Sequence, residues 1–335
     1  LAGPVDVSSG DAEGIDLELM PARIISGTIS LPDGDTAPAG GVKVYIITEN
    51  DSGSSVYGSS VTIPEGKNSV KYSIPVSVDK ESAEYIVQYS FSNEDYGYGK
   101  FGYYSREGTR AGYSSADYID VSSGDVEGIN LEILTANTIS GIILLPESYL
   151  TLDGSVKINI DAINYEDAFL YGRFIDSIFT TVNMTEGQNT AEYSLAVPVD
   201  SVSKSEYIIR YSIYSEQSYL EIGYYSIDGI AQYPNLATPV DVSNGDAEGI
   251  NFDLAARNVI SGIVSLPGDD VAPAGGIEVR IYAENDNGTP GYYDDDFSFN
   301  TAVTIPEGQS SAEYSIRIPV PTDTAITEYK IRYVV

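Results

Sequence analysis

Residues 120–133 read DVSSGDVEGINLEI, and the same text recurs as DVSSGDAEGIDLEL at 6–19 and DVSNGDAEGINFDL at 241–254. The first half of this stretch is turn chemistry, with Ser, Gly and Asp supplying side-chain-to-backbone bonds and positive φ. The second half alternates apolar and polar residues, as a half-buried strand does. The copies begin 114 and 121 residues apart. That period is too long for a solenoid unit of roughly 20–50 residues and matches a whole domain.

Other markers keep step with this one. IISGTISLP, TISGIILLP and VISGIVSLP place Ser26-Gly27, Ser140-Gly141 and Ser261-Gly262 in register. Glu65, Glu186 and Glu307 share a TIPEG or NMTEG turn, and Tyr85, Tyr207 and Tyr329 share an EYxxxY strand. From Ser26 to Glu65 is 39 residues, but the same interval is 46 in the other two copies. The difference falls in Glu49–Ser60, Asn164–Thr180 and Glu284–Asn300, stretches rich in Gly, Asp, Asn and Ser. Surface loops tolerate such insertion.

Segments such as VKVYIIT, SVKYSIPV and AEYIVQYSF are rich in Val, Ile and Tyr, and Pro, Gly, Asp and Asn turns separate them. No window shows a helical period of ten or more residues. Seven or eight short strands per repeat predict an all-β chain of tandem antiparallel immunoglobulin-like or transthyretin-like β-sandwiches, arranged as a rod. The expected divisions are 1–21, closing strands of a preceding or neighbouring domain; 22–136, repeat 1; 137–256, repeat 2; and 257–335, an incomplete repeat 3. Each closing strand leads into the next first strand through about four residues, leaving little of the freedom of a Gly/Ser linker.

The third copy stops where Val335 aligns with Phe91, and residues 1–21 carry closing-strand sequence with no preceding repeat. The chain begins at Leu1, which fits a processed or partial polypeptide. Two explanations are open. The chain is a window on a longer array, or residues 1–21 complete the third domain of a neighbouring subunit by strand donation. An unfilled sandwich edge is a hydrogen-bonding template that something must cover.

Composition narrows the function. The 335 residues include 17 basic and 50 acidic ones, a formal charge of −33, and no Cys, His or Trp. Such a chain repels phosphate, which excludes a nucleic-acid partner. Without Cys or His there is no disulfide framework, thiolate or imidazole metal site, or Ser-His-Asp triad. With 42% hydrophobic residues the chain reads as folded. No apolar run reaches the roughly 18–20 residues of a membrane helix.

The opening of each repeat, ISGTISLPDGDTAPAGGVKVYI in the first, resembles the carboxypeptidase regulatory-like domains of bacterial surface proteins. The matching positions are Ser26-Gly27, Pro32, Gly34, Pro38, Gly40, Gly41, Val42 and Val44. Copy three repeats them at Ser261-Gly262, Pro267, Gly268, Pro273, Gly275 and Gly276, whereas copy two reads LPESYLTLDGSVKI instead. The closing strand is similar to the last strand of that family, and VTIPEGKNSVKYSIPV resembles a strand pair of Calx-β modules. The resemblance implies an extracellular structural or adhesive module and carries no catalytic residue.

Hard-cation chemistry remains open through oxygen ligands. The candidate Ca²⁺ ligands are Asp6, Asp11 and Glu13, repeated at Asp120, Asp125 and Glu127 and at Asp241, Asp246 and Glu248. The competing reading is a β-turn, with Gly10 and Gly14 at positive φ. Glu65, Glu186 and Glu307 read as turn corners in water, and Asp294-Asp295-Asp296 as a solvated loop. Paired carboxylates for glycoside hydrolysis are set aside, because the shared acidic positions sit in turn signals. Sequons at Asn50, Asn183 and Asn287 carry little weight. Lys43 aligns with Lys157 but with Glu278 in copy three, which rules out a shared isopeptide crosslink at that position. Tyr is abundant, 28 against 8 Phe. The recurring Tyr72, Tyr193 and Tyr314, and the Tyr103-Tyr104 and Tyr224-Tyr225 doublets, read as sheet packing or as an aromatic surface for a partner or sugar.

These readings converge on a non-enzymatic structural protein of an extracellular or cell-surface filament, fibre or stalk, self-associating head-to-tail and laterally. The alternative is an adhesin or carbohydrate-binding spacer with a glycan or surface ligand.

Overall fold

The computed structural model describes residues 8, 10–11, 22–50, 56–78, 83–91, 99–146, 156–170, 177–200, 202, 204–214, 219–231, 233–254, 257–285, 297–319 and 328–335. The chain divides into two compact units, 1–92 with 116–132 and 93–115 with 133–335. The architecture is all-β, and the strand pattern repeats three times.

In repeat 1 the opening strand Ala22–Ser30 pairs antiparallel with Ser69–Ser77 and parallel with Leu131–Glu132. The facing sheet places Val42–Asn50 between Val56–Ile63 and Glu84–Ser90, and Ile119–Asp120 pairs with the latter. Alternation explains which side goes in. Val42, Val44 and Ile46 are buried while Lys43 is exposed, the two-residue period of a strand with one wet face. Ile25 and Ile29 of the opening strand and Ile74 and Val76 of its neighbour face the same interior.

Repeat 2 reproduces this plan. Ala136–Leu144 lies between Thr190–Pro198 and Phe252–Asp253, and Val156–Asn164 lies between Ile178–Met184 and Glu206–Tyr214. Tyr219–Ser226 and Gly229–Ala231 extend the second sheet. Ile139, Ile143, Tyr193 and Leu195 from one sheet and Ile158, Ile160, Ile209 and Tyr211 from the other form one apolar core, the two-layer packing of a sandwich. Repeat 3 has Arg257–Ser265 paired with Ser311–Pro319, and Ile277–Asn285 between Phe297–Ile305 and Lys330–Val334.

The structure departs from the sequence expectation in two places. The closing strand runs parallel to the opening strand, so the sandwich is not wholly antiparallel. The insertion after Asn164, expected as loop, contains a six-residue helix, Tyr165–Leu170.

That helix has a use inside the second unit. Asp167 accepts the amides of Tyr113 (3.0 Å) and Ser114 (2.8 Å), and the Ser115 hydroxyl donates to Glu166 at 2.6 Å. Asp200 accepts the amide of Ala111 at 3.2 Å, and Arg110 Nε lies 3.1 Å from the same carboxylate. The Arg110 contact lacks hydrogen-bond geometry and is an ion pair. Residues 110–115 are thus tied to repeat 2 by polar contacts. Ala231, the sequence counterpart of Arg110, instead joins Ile208, Tyr224 and Tyr233 in the apolar cluster that holds Ala272, Val279 and Ile281 of repeat 3.

Candidate functional site

The element present in every reading of the sequence is the closing segment. In repeat 1 the Val126 amide donates to Ile24 O (2.8 Å), the Ser26 amide to Val126 O (2.9 Å) and the Ile129 amide to Ser26 O (3.0 Å). Repeat 2 matches this bond for bond. The Ala247 amide donates to Thr138 O (2.8 Å), the Ser140 amide to Ala247 O (2.9 Å) and the Ile250 amide to Ser140 O (3.0 Å).

Side chains complete the seam. Asp125 Oδ1 accepts the Ile24 amide at 2.9 Å, and Asp246 Oδ1 accepts the Thr138 amide at 2.7 Å. Five residues on, Asn130 Oδ1 accepts from Thr28 and Asn251 Oδ1 from Ile142, at 3.0 and 2.8 Å. These are the outward-facing amides of the opening strand, which backbone pairing at this short ladder leaves over. Satisfying them this way meets the requirement that strand donors find acceptors.

A close approach explains the repeated Ser-Gly. A Cβ on Gly27 would sit 1.9 Å from Ile129 O, and one on Gly141 would sit 2.0 Å from Ile250 O. Only a residue without a side chain lets the closing backbone come so near. Tyr72 and Tyr193 stand directly across the sheet from those glycines and donate their hydroxyls to the same two carbonyls. Burial pushes the Tyr193 phenol well above its ordinary pKa, and nearby Tyr225 adds to the shift. Phe252 of the closing strand then packs against Tyr211 and Tyr193, ring centroids 5.2 and 6.0 Å away. Leu131 is its counterpart in repeat 1 and is equally buried.

Four of the nine proposed cation ligands, Asp120, Asp125, Asp241 and Asp246, accept hydrogen bonds from nearby backbone amides. Asp120 accepts the Ser122 amide at 2.8 Å, and Asp241 accepts the Ser243 amide at 2.8 Å and its hydroxyl at 2.5 Å. The serine bonds, hydroxyl first and amide second, hold both carboxyls below the usual carboxylate range. Asp11, Glu127 and Glu248 are exposed, while Asp6 and Glu13 lie outside the described residues. Among the described residues no group of three or more acidic side chains is arranged to hold a metal ion. Gly124 and Gly245 take φ of 153° and 138°, and Gly128 and Gly249 take 80° and 75°, so the turn chemistry is present at both complete copies.

The remaining candidates divide by exposure. Glu65, Glu186 and Glu307 are exposed turn corners, and Lys43, Lys157 and Glu278 are exposed. Asp294, Asp295 and Asp296 lie outside the described residues. Asn50 is buried and Asn183 exposed, and Asn287 is outside the described set. Tyr72, Tyr103, Tyr193 and Tyr224 are buried, which corrects the idea that the doublets offer Tyr103 and Tyr224 as a sugar platform. Sequence reasoning noted the Ser-Gly and Tyr recurrence without joining them. A Gly inside a strand pattern was the signal that another backbone comes close.

The counterparts of these buried residues in repeat 3 are more exposed. Tyr89 and Tyr211 are 0% exposed, yet their counterpart Tyr333 is 68% exposed. Val87 and Ile209 are 0% exposed, against 46% for Ile331. Ile260 and Val264 are half-buried where Ile25, Ile29, Ile139 and Ile143 are fully buried. Among the described residues nothing pairs with the free side of Arg257–Ser265.

No family model matches the chain, and no curated protein matches it. Among solved structures, the chain is similar to a leucine-rich repeat protein from Bacteroides thetaiotaomicron, with 11% identity, 69% of this chain and 26% of that chain covered, and TM-score 0.21. It thus spans about a quarter of that relative's length. It is also similar to the fimbrial anchor protein Mfa2 from Porphyromonas gingivalis, with 8% identity, 59% and 81% coverage, and TM-score 0.24. The tip fimbrial protein Mfa3 from Porphyromonas gingivalis gives 8% identity, 74% and 96% coverage, and TM-score 0.24. At these TM-scores the likenesses carry no weight for a shared fold or role. The carboxypeptidase regulatory-like resemblance finds no matching family model.

Proposed function

We propose that this chain is a segment of a non-enzymatic extracellular or cell-surface fibre or stalk, built from tandem β-sandwiches that associate end to end. The observation carrying this reading is the closing seam, repeated bond for bond in two repeats and joined to the next opening strand by residues 133–135 and 254–256 alone. A design in which every unit ends by starting the next one makes length, not a pocket. Asp125, Asn130, Asp246 and Asn251 are spent on backbone amides, which suits a scaffold better than a reaction centre.

The acidic composition supports an extended, soluble assembly, since a charge of about −10 per repeat resists collapse at low salt. Among the described residues no helix is long and apolar enough to cross a membrane. Negative-stain imaging of the purified chain tests the reading. Elongated particles with a regular beaded repeat are expected. Compact, isotropic particles would overturn it.

A further inference from the structure

We infer that residues 110–115 form a latch, docked on repeat 2, that opens as a local step while the sandwiches stay folded, with the helix Tyr165–Leu170 as its catch. The inference goes beyond the fibre reading and does not depend on it. Residues 101–120 (FGYYSREGTRAGYSSADYID) and 222–241 (IGYYSIDGIAQYPNLATPVD) align without a gap. Tyr103 pairs with Arg110 in the first, and Tyr224 with Ala231 in the second. Each then makes a short 3-10 turn, Tyr113–Ser115 and Pro234–Leu236. The two segments share a backbone plan and differ in what holds them, so each is a control for the other.

The first segment is held by charge. Asp167 Oδ1 takes the Ser114 amide and Oδ2 the Tyr113 amide, while Asp200 takes the Ala111 amide and faces Arg110. Of the side chains from Arg110 to Ser115, only that of Ala111 is both apolar and fully buried. The hydroxyls of Tyr103 and Ser114 are buried with no hydrogen-bond partner among the described residues. Opening exchanges the amide–carboxylate bonds for bonds to water and hydrates both hydroxyls. It also returns the desolvation cost of the Arg110–Asp200 pair. The second segment has Ala231 for Arg110, Tyr233 for Gly112 and Leu236 for Ser115. Ala231 and Tyr233 are 1% and 2% exposed and lie with Leu236 in the apolar cluster of Val279 and Ile281. Water offers nothing in exchange for that contact. The first segment therefore opens at lower cost than the second, and ahead of global unfolding.

The catch stays in place when the latch leaves. Glu166 and Asp167 of the helix receive Ser115, Ser114 and Tyr113, whereas Tyr165 and Ala168 pack against the apolar cluster that repeat 2 shares with repeat 3. The Asn164 side chain accepts the Glu166 amide at 3.0 Å and so starts the helix. A Cβ on Gly112 would lie 3.0 Å from the same Asn164 Oδ1, so the small residue lets the latch sit down on that cap. The base of the segment is fixed separately. The Gly99 amide donates to Leu134 O at 2.8 Å, and Phe101 packs against the core of repeat 2. With its base anchored, the tip leaves and returns to the same two carboxylates.

Residue-resolved hydrogen exchange of the full chain tests this. In the wild type, the amides of Ala111, Tyr113 and Ser114 are expected to show protection at least tenfold lower than those of Leu236, Ala237 and Thr238, which donate to backbone carbonyls. Their protection should also fall at least tenfold below that of the seam amides of Val126 and Ala247. Low urea should leave their exchange unchanged, since a local opening exposes little surface. Asp167→Asn sets an NH2 group against one of the two backbone amides. It should speed exchange at Tyr113 and Ser114 at least tenfold and leave the seam amides as they were. Ser115→Ala removes only the bond to Glu166 and should act in the same direction by less. The wild-type comparison needs no variant and decides the case if Asp167→Asn does not fold. Equal protection and equal urea dependence at 110–115 and at the seam would overturn the inference. So would an Asp167→Asn chain in which Leu236, Ala237 and Thr238 open as much as Tyr113 and Ser114 do.

Discussion

The Tyr193 hydroxyl donates to the carbonyl of Ile250, the very atom that a side chain on Gly141 would strike. One strand carbonyl is thus held from one side by a phenol and approached from the other by a glycine. The same relationship joins Tyr72, Ile129 and Gly27. Removing the hydroxyl alone strands a buried carbonyl. Tyr193→Phe is expected to lower stability by about 1–3 kcal/mol, read as a drop in the denaturant midpoint at unchanged slope.

Gly141→Ala is expected to be worse. The new methyl would lie 2.0 Å from Ile250 O, so the closing strand must move out of the seam. Overpacking of this kind costs about 1–3 kcal/mol and more where backbone is displaced. Gly262→Ala meets only the end of the Tyr314 ring and should shift the melting temperature far less. Equal losses at the two sites would contradict the seam as described.

Alkaline pH should act through the same tyrosine. Its folded-state pKa is raised by burial, so above the unfolded value of about 10 the folded chain holds more protons than the unfolded one. The stability linked to Tyr193 is complete below that value and is lost as pH rises through the folded pKa. The wild-type chain should therefore unfold more readily above pH 10, with a shallower pH dependence in Tyr193→Phe. Parallel curves for the two proteins would refute this.

Acid acts in the opposite direction. Asp120 and Asp241 have folded pKa values lowered by Ser122 and Ser243. Their stabilising effect is present above the ordinary carboxylate range and fades as pH falls through the lowered values. Asp241→Asn should flatten the acid limb of the stability curve, as followed by circular dichroism. Calcium is tested in the same series. Asp125 and Asp246 already spend an oxygen each on the opening strand, so chelator and millimolar Ca²⁺ are expected to give the same melting temperature. A clear Ca²⁺-dependent rise, lost in Asp125→Asn, would restore the acidic turns as cation sites.

Arg110 and Asp200 form an ion pair whose side chains are 12% and 4% exposed. Arg110→Ala leaves the buried carboxylate without its cation. The expected loss is about 3 kcal/mol, the low end for a broken buried pair, because Asp200 keeps the amides of Ala111 and Val202. Arg110→Ala with Asp200→Ala should recover part of it. The next repeat has Ala231 and Pro321 at the aligned positions, so the sequence pattern itself carries an uncharged combination there.

Much of this was legible in the sequence because the repeats provide internal controls. Strand positions followed from alternation at Val42, Val44 and Ile46, and turn positions from the repeat positions of Gly10 and Gly14, whose counterparts Gly124, Gly128, Gly245 and Gly249 take positive φ. The direction of the closing strand was not legible, since the pattern GINLEI is the same in a parallel and an antiparallel pair. The task of Asp125 was hidden for a related reason. A carboxylate in a turn signal can face water, a cation or an amide, and only the position of the Ile24 amide decides. The helix Tyr165–Leu170 was missed because six residues are too few to show a helical period, and its value lies in what Asp167 caps rather than in its own propensity.

The parallel run of the opening and closing strands has a consequence for force. Tension along the chain would enter a repeat at the Ala22 end of one strand and leave past Glu132 at the end of the other. Two parallel strands drawn from opposite ends slide along each other. The bonds of Val126 to Ile24, Ser26 to Val126 and Ile129 to Ser26 would then be stretched together, and the Asp125 and Asn130 contacts with them. An antiparallel closing strand would be peeled off one bond at a time. The seam sets repeats 1 and 2 to resist in shear, so the residues that finish these sandwiches also decide how hard they can be pulled.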